Sequence, residues 1–262
     1  DITIEKAPAR IISLIPSNTE ILFGLGLDEQ IIAVNDNDNY PEQALAKEKV
    51  GGMEFNLEQI IALQPDLVFA HESNLYSFNE EAIAQLEAIG ITVFVVKDAK
   101  TFEETYTTIA QIGQMTNKVQ QADEMIASIK TGIDEIEVKV ADLEEKSVFI
   151  VVGTAPDLYA AGQETFINEM LEVLEVENAV PELGWPQYSA EQFVASNPDA
   201  ILVTYESDIE AIQTNEAYSE MDAVKNDQVK LVDGDTTSRQ GPRIVEGIES
   251  LAEAIYPEAF NE

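Results

Sequence analysis

The sequence predicts an α/β protein with two similar lobes, each built on a mainly parallel sheet, joined by one long rigid helix with a ligand cleft between the lobes. Three observations carry this prediction. Residues 56–70 (NLEQIIALQPDLVFA) and 189–203 (SAEQFVASNPDAILV) repeat one pattern about half the chain apart. Short apolar runs alternate with helical segments, as parallel α/β folds require. Residues 118–145 carry one uninterrupted apolar stripe at helical spacing.

Each copy of the repeat predicts a capped helix followed by a buried strand. Asn56 or Ser189 caps the helix, because its side-chain oxygen accepts from an unpaired N–H of the first turn. The proline stops the helix, since the residue before proline avoids the α conformation. The following apolar runs, 67–70 and 200–203, are typical of strands buried on both faces.

The first half is predicted to alternate strands and helices around its copy of the repeat. Ser17 or Asn18 is expected to cap the first helix, and residues 35–55 are expected to be mostly irregular. A segment of that length without regular structure usually carries function. The predicted strands are 10–14, 31–34, 67–70 and 92–96, and the predicted helices are 16–24, 42–46, 57–64 and 79–89.

The second half restarts the pattern after two central helices, 101–115 and 118–145. The stripe of the long helix also suits a coiled coil, and Gly132 near its middle costs about 1 kcal/mol relative to alanine. The remaining predicted strands are 147–152, 200–203 and 229–232, the helical segments are 164–174, 190–197, 209–214, 220–224 and 242–256, and the loops are 175–188 and 233–241. The predicted domains are therefore 1–100, a connecting segment 101–145 and 146–262.

Composition excludes several classes of function. The chain has 14 Lys+Arg against 50 Asp+Glu, a net charge of −36, which argues against binding nucleic acid or an anionic membrane through a basic patch. With no cysteine and one histidine, neither disulfides nor a dedicated zinc site is expected. No apolar run approaches the ~18 residues that span a bilayer. No signal segment is recognised in this chain.

Motifs for catalysis are also missing. Gly24-Leu25-Gly26 ends a helix instead of opening one, there is no phosphate loop, and there is no G-x-S-x-G nucleophile turn. The acidic segment 35–38 lacks the later glycine and glutamate of a calcium loop. We therefore expect neither an enzyme, nor a metal site, nor a protein cofactor.

Aromatic residues and two arginines concentrate in the segments that follow the predicted strands. In open α/β sheets the ligand sits beyond the carboxyl ends of the strands, so these segments predict a site for a large, flat, partly polar organic ligand. The residues are Tyr40, Phe55, His71, Tyr76, Tyr159, Trp185, Tyr188, Tyr205, Arg239 and Arg243.

The whole chain resembles a family of bacterial transport proteins. The segments that carry the likeness are RIISLIPSNTEILFGLG (10–26), Tyr40-Pro41, 56–70, GQETFINEMLEVLEVENAV (162–180), WPQYSAEQ (185–192) and SRQGPRI (238–244). They are similar to the substrate-binding proteins of ABC importers whose two lobes are joined by one long helix, and most similar to the cobalamin binders. The resemblance implies an extracytoplasmic monomer, periplasmic or lipid-anchored, that delivers cobalamin or a related corrinoid to a permease.

The resemblance also implies which residues bind the ligand. Tyr40 and Trp185 match aromatics that line the corrin site, and Asp235 and Arg239 lie in the loop that closes over the ligand. Met53 and His71 stand where cobalamin binders tend to have tryptophan. Tyr205 completes the predicted set through its position after a strand.

Related ligands and other classes of function stay open at this point. Arg239 and Arg243 suit a ferric siderophore. Haem is the other related ligand, although Gly52 stands where haem binders often have tyrosine. A two-lobed cofactor-dependent enzyme and a scaffold protein without a transport role are the alternatives from other classes.

The repeated glutamates have two interpretations. In the resembled family, one glutamate at the tip of each lobe docks into arginine pockets of the permease dimer, and Glu58 and Glu191 match those positions. Two equivalent carboxylates suit a symmetric partner. The simpler interpretation is that a first-turn glutamate stabilises its helix by about 0.3–1 kcal/mol.

Overall fold

A computed structural model of the chain describes residues 6–260 and confirms the α/β class with two similar units. Unit 1 contains the residues up to Ala99, Glu103–Ser128 and Gln240–Pro242. Unit 2 contains Lys100–Phe102, Ile129–Arg239 and the residues from Arg243 on. The boundary at Ser128 falls inside the long central helix, whereas the predicted connecting segment was 101–145.

Unit 1 is built on a sheet that is parallel throughout. Within the described residues it has five strands in the order β3-β2-β1-β4-β5. They are β1 (Ile11–Ser13), β2 (Ile31–Val34), β3 (Glu48–Lys49), β4 (Leu67–His71) and β5 (Thr92–Val96). The helices are α1 (Pro16–Gly24), α2 (Leu57–Ala62) and α3 (Glu80–Ala88), with 3-10 turns at Glu42–Ala46 and Glu72–Asn74. Buried aliphatic residues of β1 and β4 form part of the hydrophobic core, as the apolar runs predict.

The predicted cap of α1 is wrong. The N-cap is Ile15, which makes no side-chain cap, and Pro16 occupies the first turn, where its missing N–H costs nothing. Ser17 and Asn18 are buried instead. The amide of Asn18 donates to the carbonyl of Ala70 at 3.3 Å, so this side chain serves the neighbouring strand instead of the helix end.

Two helices follow unit 1's sheet in the chain, α4 (Phe102–Met115) and α5 (Val119–Val140). α5 ends five residues earlier than the sequence predicts. Leu143 N–H bonds the carbonyl of Val140 at 2.8 Å and closes the last turn tightly. The glutamates at 144 and 145 would also face the negative end of the helix dipole. The apolar stripe is largely buried within the chain, so it needs no coiled-coil partner.

Unit 2 repeats the parallel arrangement and adds an antiparallel strand that the sequence does not predict. Its strands are β6 (Ser147–Gly153), β7 (Leu158–Ala160), β8 (Glu177–Asn178), β9 (Gln187–Tyr188), β10 (Ala200–Val203) and β11 (Val229–Leu231). The order is β11-β10-β6-β7-β9, with β8 also paired to β6. β7 runs antiparallel to both neighbours. At two or three residues, β7, β8 and β9 are too short to show a strand pattern in the sequence.

The helices of unit 2 include the predicted ones, and two short α-helices and a 3-10 turn are added to them. They are α6 (Phe166–Val173), α7 (Ala190–Ser196), α8 (Glu206–Gln213), α9 (Asp222–Lys225), α10 (Gly234–Ser238), α11 (Ile244–Ile255) and α12 (Pro257–Phe260), with a 3-10 turn at Glu216–Tyr218. Residues 234–238, predicted as loop, form α10. The reason is Asp233, whose carboxylate accepts from the N–H groups of Asp235 and Thr236 at 2.8 and 3.3 Å and so caps the helix.

Gly132 is required by the packing of α11 on α5. A Cβ at this position would lie 2.7 Å from Cγ2 of Val245, a β-branched side chain with little freedom to move. We expect Gly132→Ala to destabilise the protein by about 1 kcal/mol, because an overpacking cost of about 1–3 kcal/mol exceeds the gain of about 1 kcal/mol in helix propensity. Urea-induced unfolding measures the change.

The matched control makes the same Gly132→Ala substitution in a chain that already carries Val245→Ala. Gly132→Ala in that background should stabilise, since the clashing methyl groups are gone and only the helix-propensity gain remains. A stabilising Gly132→Ala in the wild-type background would contradict the packing account.

Candidate functional site

The repeated Pro-Asp step has the same structural role in both units. In unit 1, Oδ2 of Asp66 accepts from the backbone N–H groups of Ala9 and Arg10 at 2.8 and 2.9 Å. In unit 2, Oδ2 of Asp199 accepts from the N–H and hydroxyl of Ser147 at 2.8 and 2.9 Å. Each aspartate therefore holds the start of the parallel strand beside its own, β1 or β6. This part of the repeat serves folding.

Glu58 and Glu191 occupy equivalent places in the two units. Each is the second residue of a helix whose cap is formed as predicted: Asn56 accepts from the N–H of Gln59, and Ser189 from that of Gln192. Both glutamates are exposed, and within residues 6–260 neither side chain makes a hydrogen bond or ion pair. The two carboxylates are thus presented to solvent from matching local structures, available to a cationic partner.

Three exposed side chains share the carboxyl edge of the unit 1 sheet. Tyr40 follows β2, Met53 follows β3 and Tyr76 follows β4, and because these strands are parallel their carboxyl ends meet at one edge. The three residues are 42%, 72% and 67% exposed. The Tyr76 hydroxyl donates to Sδ of Met53 at 3.4 Å. We call Tyr40, Met53 and Tyr76 the unit 1 edge. It contains Tyr76 and two of the residues that the resemblance implies as ligand contacts, Tyr40 and Met53.

His71 lies at the end of β4 and is 2% exposed. Its Nδ1 accepts from the N–H of Ser73 at 3.2 Å and lies 2.8 Å from the Ser73 hydroxyl. Burial lowers the pKa of His71, against the opposing effect of Asp98 and Glu72. The imidazole is therefore neutral near pH 7, with the proton assigned to Nε2 because Nδ1 is an acceptor. In this arrangement the ring caps the Glu72–Asn74 turn, and its predicted ligand contact stays a prediction.

A pocket of about 410 Å³ in unit 2 brings together three predicted ligand residues, Trp185, Tyr205 and Asp235. Trp185 and Tyr205 are 54% and 61% exposed. The other lining residues are Val152, Ile167, Thr204, Asp233, Gly234, Thr237 and Ser238. The walls combine two aromatic faces with hydroxyl and carboxylate groups from the ends of β10 and β11. Sequence reasoning missed Thr204, Thr237 and Ser238, although the run of capping residue types at 233–238 was the available signal.

Arg239 does not line this pocket but pairs with Asp235, which does. Its guanidinium pairs with the carboxylate of Asp235 at 2.8 Å, and its side chain is largely buried. The charge of Arg239 is therefore shared with the acidic group that faces the pocket. Arg243 is buried at the N-cap of α11.

A larger pocket of about 730 Å³ in unit 2 is lined by one aromatic residue of the predicted site, Tyr188. It lies between the segment after β6 and the start of α7, and its polar lining includes Asp157, Gln187, Gln192 and Asn215. Ser189, Ala190 and Gln192 surround Glu191 in sequence and also line it. This pocket therefore borders the predicted docking residue of unit 2.

Over residues 6–260 no group of three or more His, Asp or Glu side chains is placed to hold a metal ion. No helix in that part of the chain is both long and apolar enough to cross a membrane.

Comparisons with known proteins place this architecture in a family. Residues 11–236 match the periplasmic binding protein family. The chain is similar to the uncharacterised ABC transporter substrate-binding lipoprotein YvrC of Bacillus subtilis strain 168, with 45% identity over 266 residues, covering 100% of this chain and 84% of the relative. It is similar to a vitamin B12-binding protein of Pectobacterium atrosepticum, with 30% identity covering 95% of this chain and 88% of the relative.

A solved structure shows the same fold. The crystal structure of a possible iron-binding (periplasmic solute-binding) protein from Staphylococcus epidermidis ATCC 12228 superposes with a TM-score of 0.87 at 41% identity. The match covers 96% of this chain and 100% of that one. Family match, relatives and fold agree over nearly the whole length. The chain therefore belongs to the periplasmic binding protein family.

Proposed function

We propose that the chain is the extracytoplasmic substrate-binding protein of an ABC importer and that it delivers cobalamin or a related corrinoid to the permease. The Bacillus relative supports the transport role through its name and its similarity over the whole chain. The Pectobacterium relative supports the ligand, since it is a vitamin B12-binding protein. Binding and release of a ligand, without turnover, is the proposed activity.

The observation that carries the ligand proposal is the exposure of aromatic side chains at the carboxyl ends of the strands. Tyr40 and Tyr76 stand at the unit 1 edge, and Trp185 and Tyr205 line the unit 2 pocket. Large apolar groups exposed together mark interaction sites, and aromatic faces suit a flat macrocycle. Around Trp185, the groups of Asp235 and Ser238 are suited to hydrogen-bond the peripheral amides of a corrin.

The proposed partner is the permease dimer, contacted through Glu58 and Glu191. The proposal of this contact is supported by the two glutamates themselves, which have matching positions, exposure and helix caps in the two units. A monomer with two equivalent carboxylates meets two equivalent cationic sites on a symmetric dimer. The proposed location is the outer face of the cell membrane, with a lipid anchor, as the lipoprotein relative suggests.

A ferric siderophore is the second candidate ligand. The Staphylococcus structure, 41% identical, is described as a possible iron-binding protein. The Asp235–Arg239 pair at the unit 2 pocket supplies charge that such a ligand would use. Haem is the third candidate, because its flat ring suits the same aromatic faces.

Titration with cyanocobalamin, haemin and a ferric hydroxamate siderophore tests the proposal. Trp185 is the only tryptophan, so its emission reports on the unit 2 pocket alone. We expect cyanocobalamin to raise the melting temperature, since a ligand that binds only the native state stabilises it, and to quench the emission saturably. A response to the siderophore or haemin with none to cyanocobalamin would replace the ligand assignment. Silence with all three would contradict the binding function.

A further inference from the structure

One backbone carbonyl in unit 1 ties together two of the segments that follow its strands. The oxygen of Leu14 accepts from Nδ2 of Asn35 at 2.9 Å and from Nδ2 of Asn74 at 2.9 Å. All three residues are buried. A carbonyl oxygen has two lone pairs, so one fixed atom is saturated by side chains from two different segments, one after β2 and one after β4.

Leu14 is a firm attachment point because it belongs to the sheet. It follows β1 directly, and its N–H donates to the carbonyl of Phe69 in β4 at 2.9 Å. The two amide side chains are therefore attached at one end to the central strands of unit 1.

The other end of each amide holds its own segment. Oδ1 of Asn35 accepts from the N–H of Asn37 at 2.8 Å, and Oδ1 of Asn74 accepts from the N–H of His71 at 3.1 Å. Each asparagine thus uses its donor on the sheet and its acceptor on a local backbone group. We call Asn35 and Asn74 the two braces.

A second set of bonds reinforces the Asn35 segment. The N–H of Asn35 donates to Oδ2 of Asp38 at 2.7 Å, and the hydroxyl of Thr19 donates to the same oxygen at 3.1 Å. Lys49 Nζ donates to the carbonyls of Asn35 and Asp38 at 3.2 and 2.8 Å. The segment that carries Tyr40 is therefore held from α1 and β3 as well as from Leu14.

The braced segments carry the exposed residues of the unit 1 edge. Tyr40 stands two residues after Asp38, and Tyr76 stands two residues after Asn74 and contacts Met53. Ordering a mobile segment on binding costs free energy, so exposed aromatic side chains bind a ligand more tightly when their segments are already fixed. The hydrogen bonds of the two braces fix the segments that carry Tyr40 and Tyr76.

We propose that Asn35 and Asn74 are positioning residues for ligand binding, which hold the segments of Tyr40 and Tyr76 in the arrangement that the ligand meets. Neither asparagine is exposed enough to serve as a principal contact. This inference rests on the proposed binding function and deepens it, because it assigns the preorganisation of the unit 1 edge to two buried amides.

The test compares Asn35→Ala and Asn74→Ala with Asn178→Ala in unit 2. Asn178 is a matched control, since its Nδ2 donates to the carbonyl of Ala161 at 3.1 Å and its Oδ1 accepts from the N–H of Val180 at 3.0 Å. Cyanocobalamin affinity is measured by calorimetry well below the melting temperature of each variant. We expect each brace variant to bind about tenfold more weakly, and Asn178→Ala to bind within about twofold of wild type.

Amide hydrogen exchange of the ligand-free chain is the second measurement. Asn35→Ala should speed exchange in residues 35–41, and Asn74→Ala in residues 71–78. Unchanged exchange, faster exchange with unchanged affinity, or an equal affinity loss in Asn178→Ala would each overturn the inference. If wild type fails to bind cyanocobalamin, the ligand assignment fails separately, and exchange alone then decides whether the braces hold the two segments.

Discussion

Replacing both Glu58 and Glu191 by alanine is expected to abolish ATP-dependent uptake while leaving cyanocobalamin affinity within about twofold of wild type. Each glutamate is exposed in the first turn of its helix, and its side chain makes no hydrogen bond or ion pair within residues 6–260. If each meets a cationic group of the permease, truncation costs about 2–5 kcal/mol of docking free energy per site. The two losses together correspond to a complex weaker by about 1,000-fold or more.

The matched control replaces Glu80 and Glu216, which are also exposed first-turn glutamates, one in each unit. This pair changes the net charge equally and should leave uptake near wild type. Uptake of labelled cyanocobalamin into proteoliposomes holding the importer measures both pairs. Wild-type uptake by the Glu58/Glu191 variant would refute the docking proposal and leave the glutamates a role at the helix dipole only.

Replacing Trp185 by alanine is expected to weaken cyanocobalamin binding by about 30- to 1,000-fold. The indole ring is half exposed in the wall of the unit 2 pocket, so a ligand seated there covers it. Buried tryptophans at the centre of interfaces typically contribute about 2–4 kcal/mol, which converts to that range of affinity. Calorimetric titration measures the change, and Trp185→Phe should recover part of it because an aromatic face remains.

Leu183→Ala is the control for Trp185, since Leu183 lies in the same segment, is 65% exposed and does not line the pocket. It should bind cyanocobalamin within about twofold of wild type. Undiminished binding by Trp185→Ala would remove the unit 2 pocket from the ligand site.

The features that could be predicted from the sequence are local ones. Examples are the caps at Asn56 and Ser189 and the strand 200–203. Each depends on residues within a few positions of each other, so the sequence pattern is enough to predict it. The exposed positions of Glu58 and Glu191 follow from the same short helices. The prediction of a cap for α1 failed because Ser17 and Asn18 are buried. Their burial is a tertiary effect that the neighbouring residues in the sequence do not indicate.

The features that escaped prediction depend on distant partners. Asn35 and Asn74 bond Leu14 across 21 and 60 positions, and nothing near either asparagine marks it as a brace. Tyr76 meets Met53 only because β3 and β4 end at one edge of the sheet.

Calorimetric titration of the wild-type chain with cyanocobalamin tests the central claim most directly. The proposed function predicts saturable binding at one site per chain, with a negative heat-capacity change because the ligand removes exposed aromatic surface, such as that of Trp185 in the unit 2 pocket, from water. Absence of saturable cyanocobalamin binding, with one-site binding of a ferric siderophore or haemin under the same conditions, would contradict it.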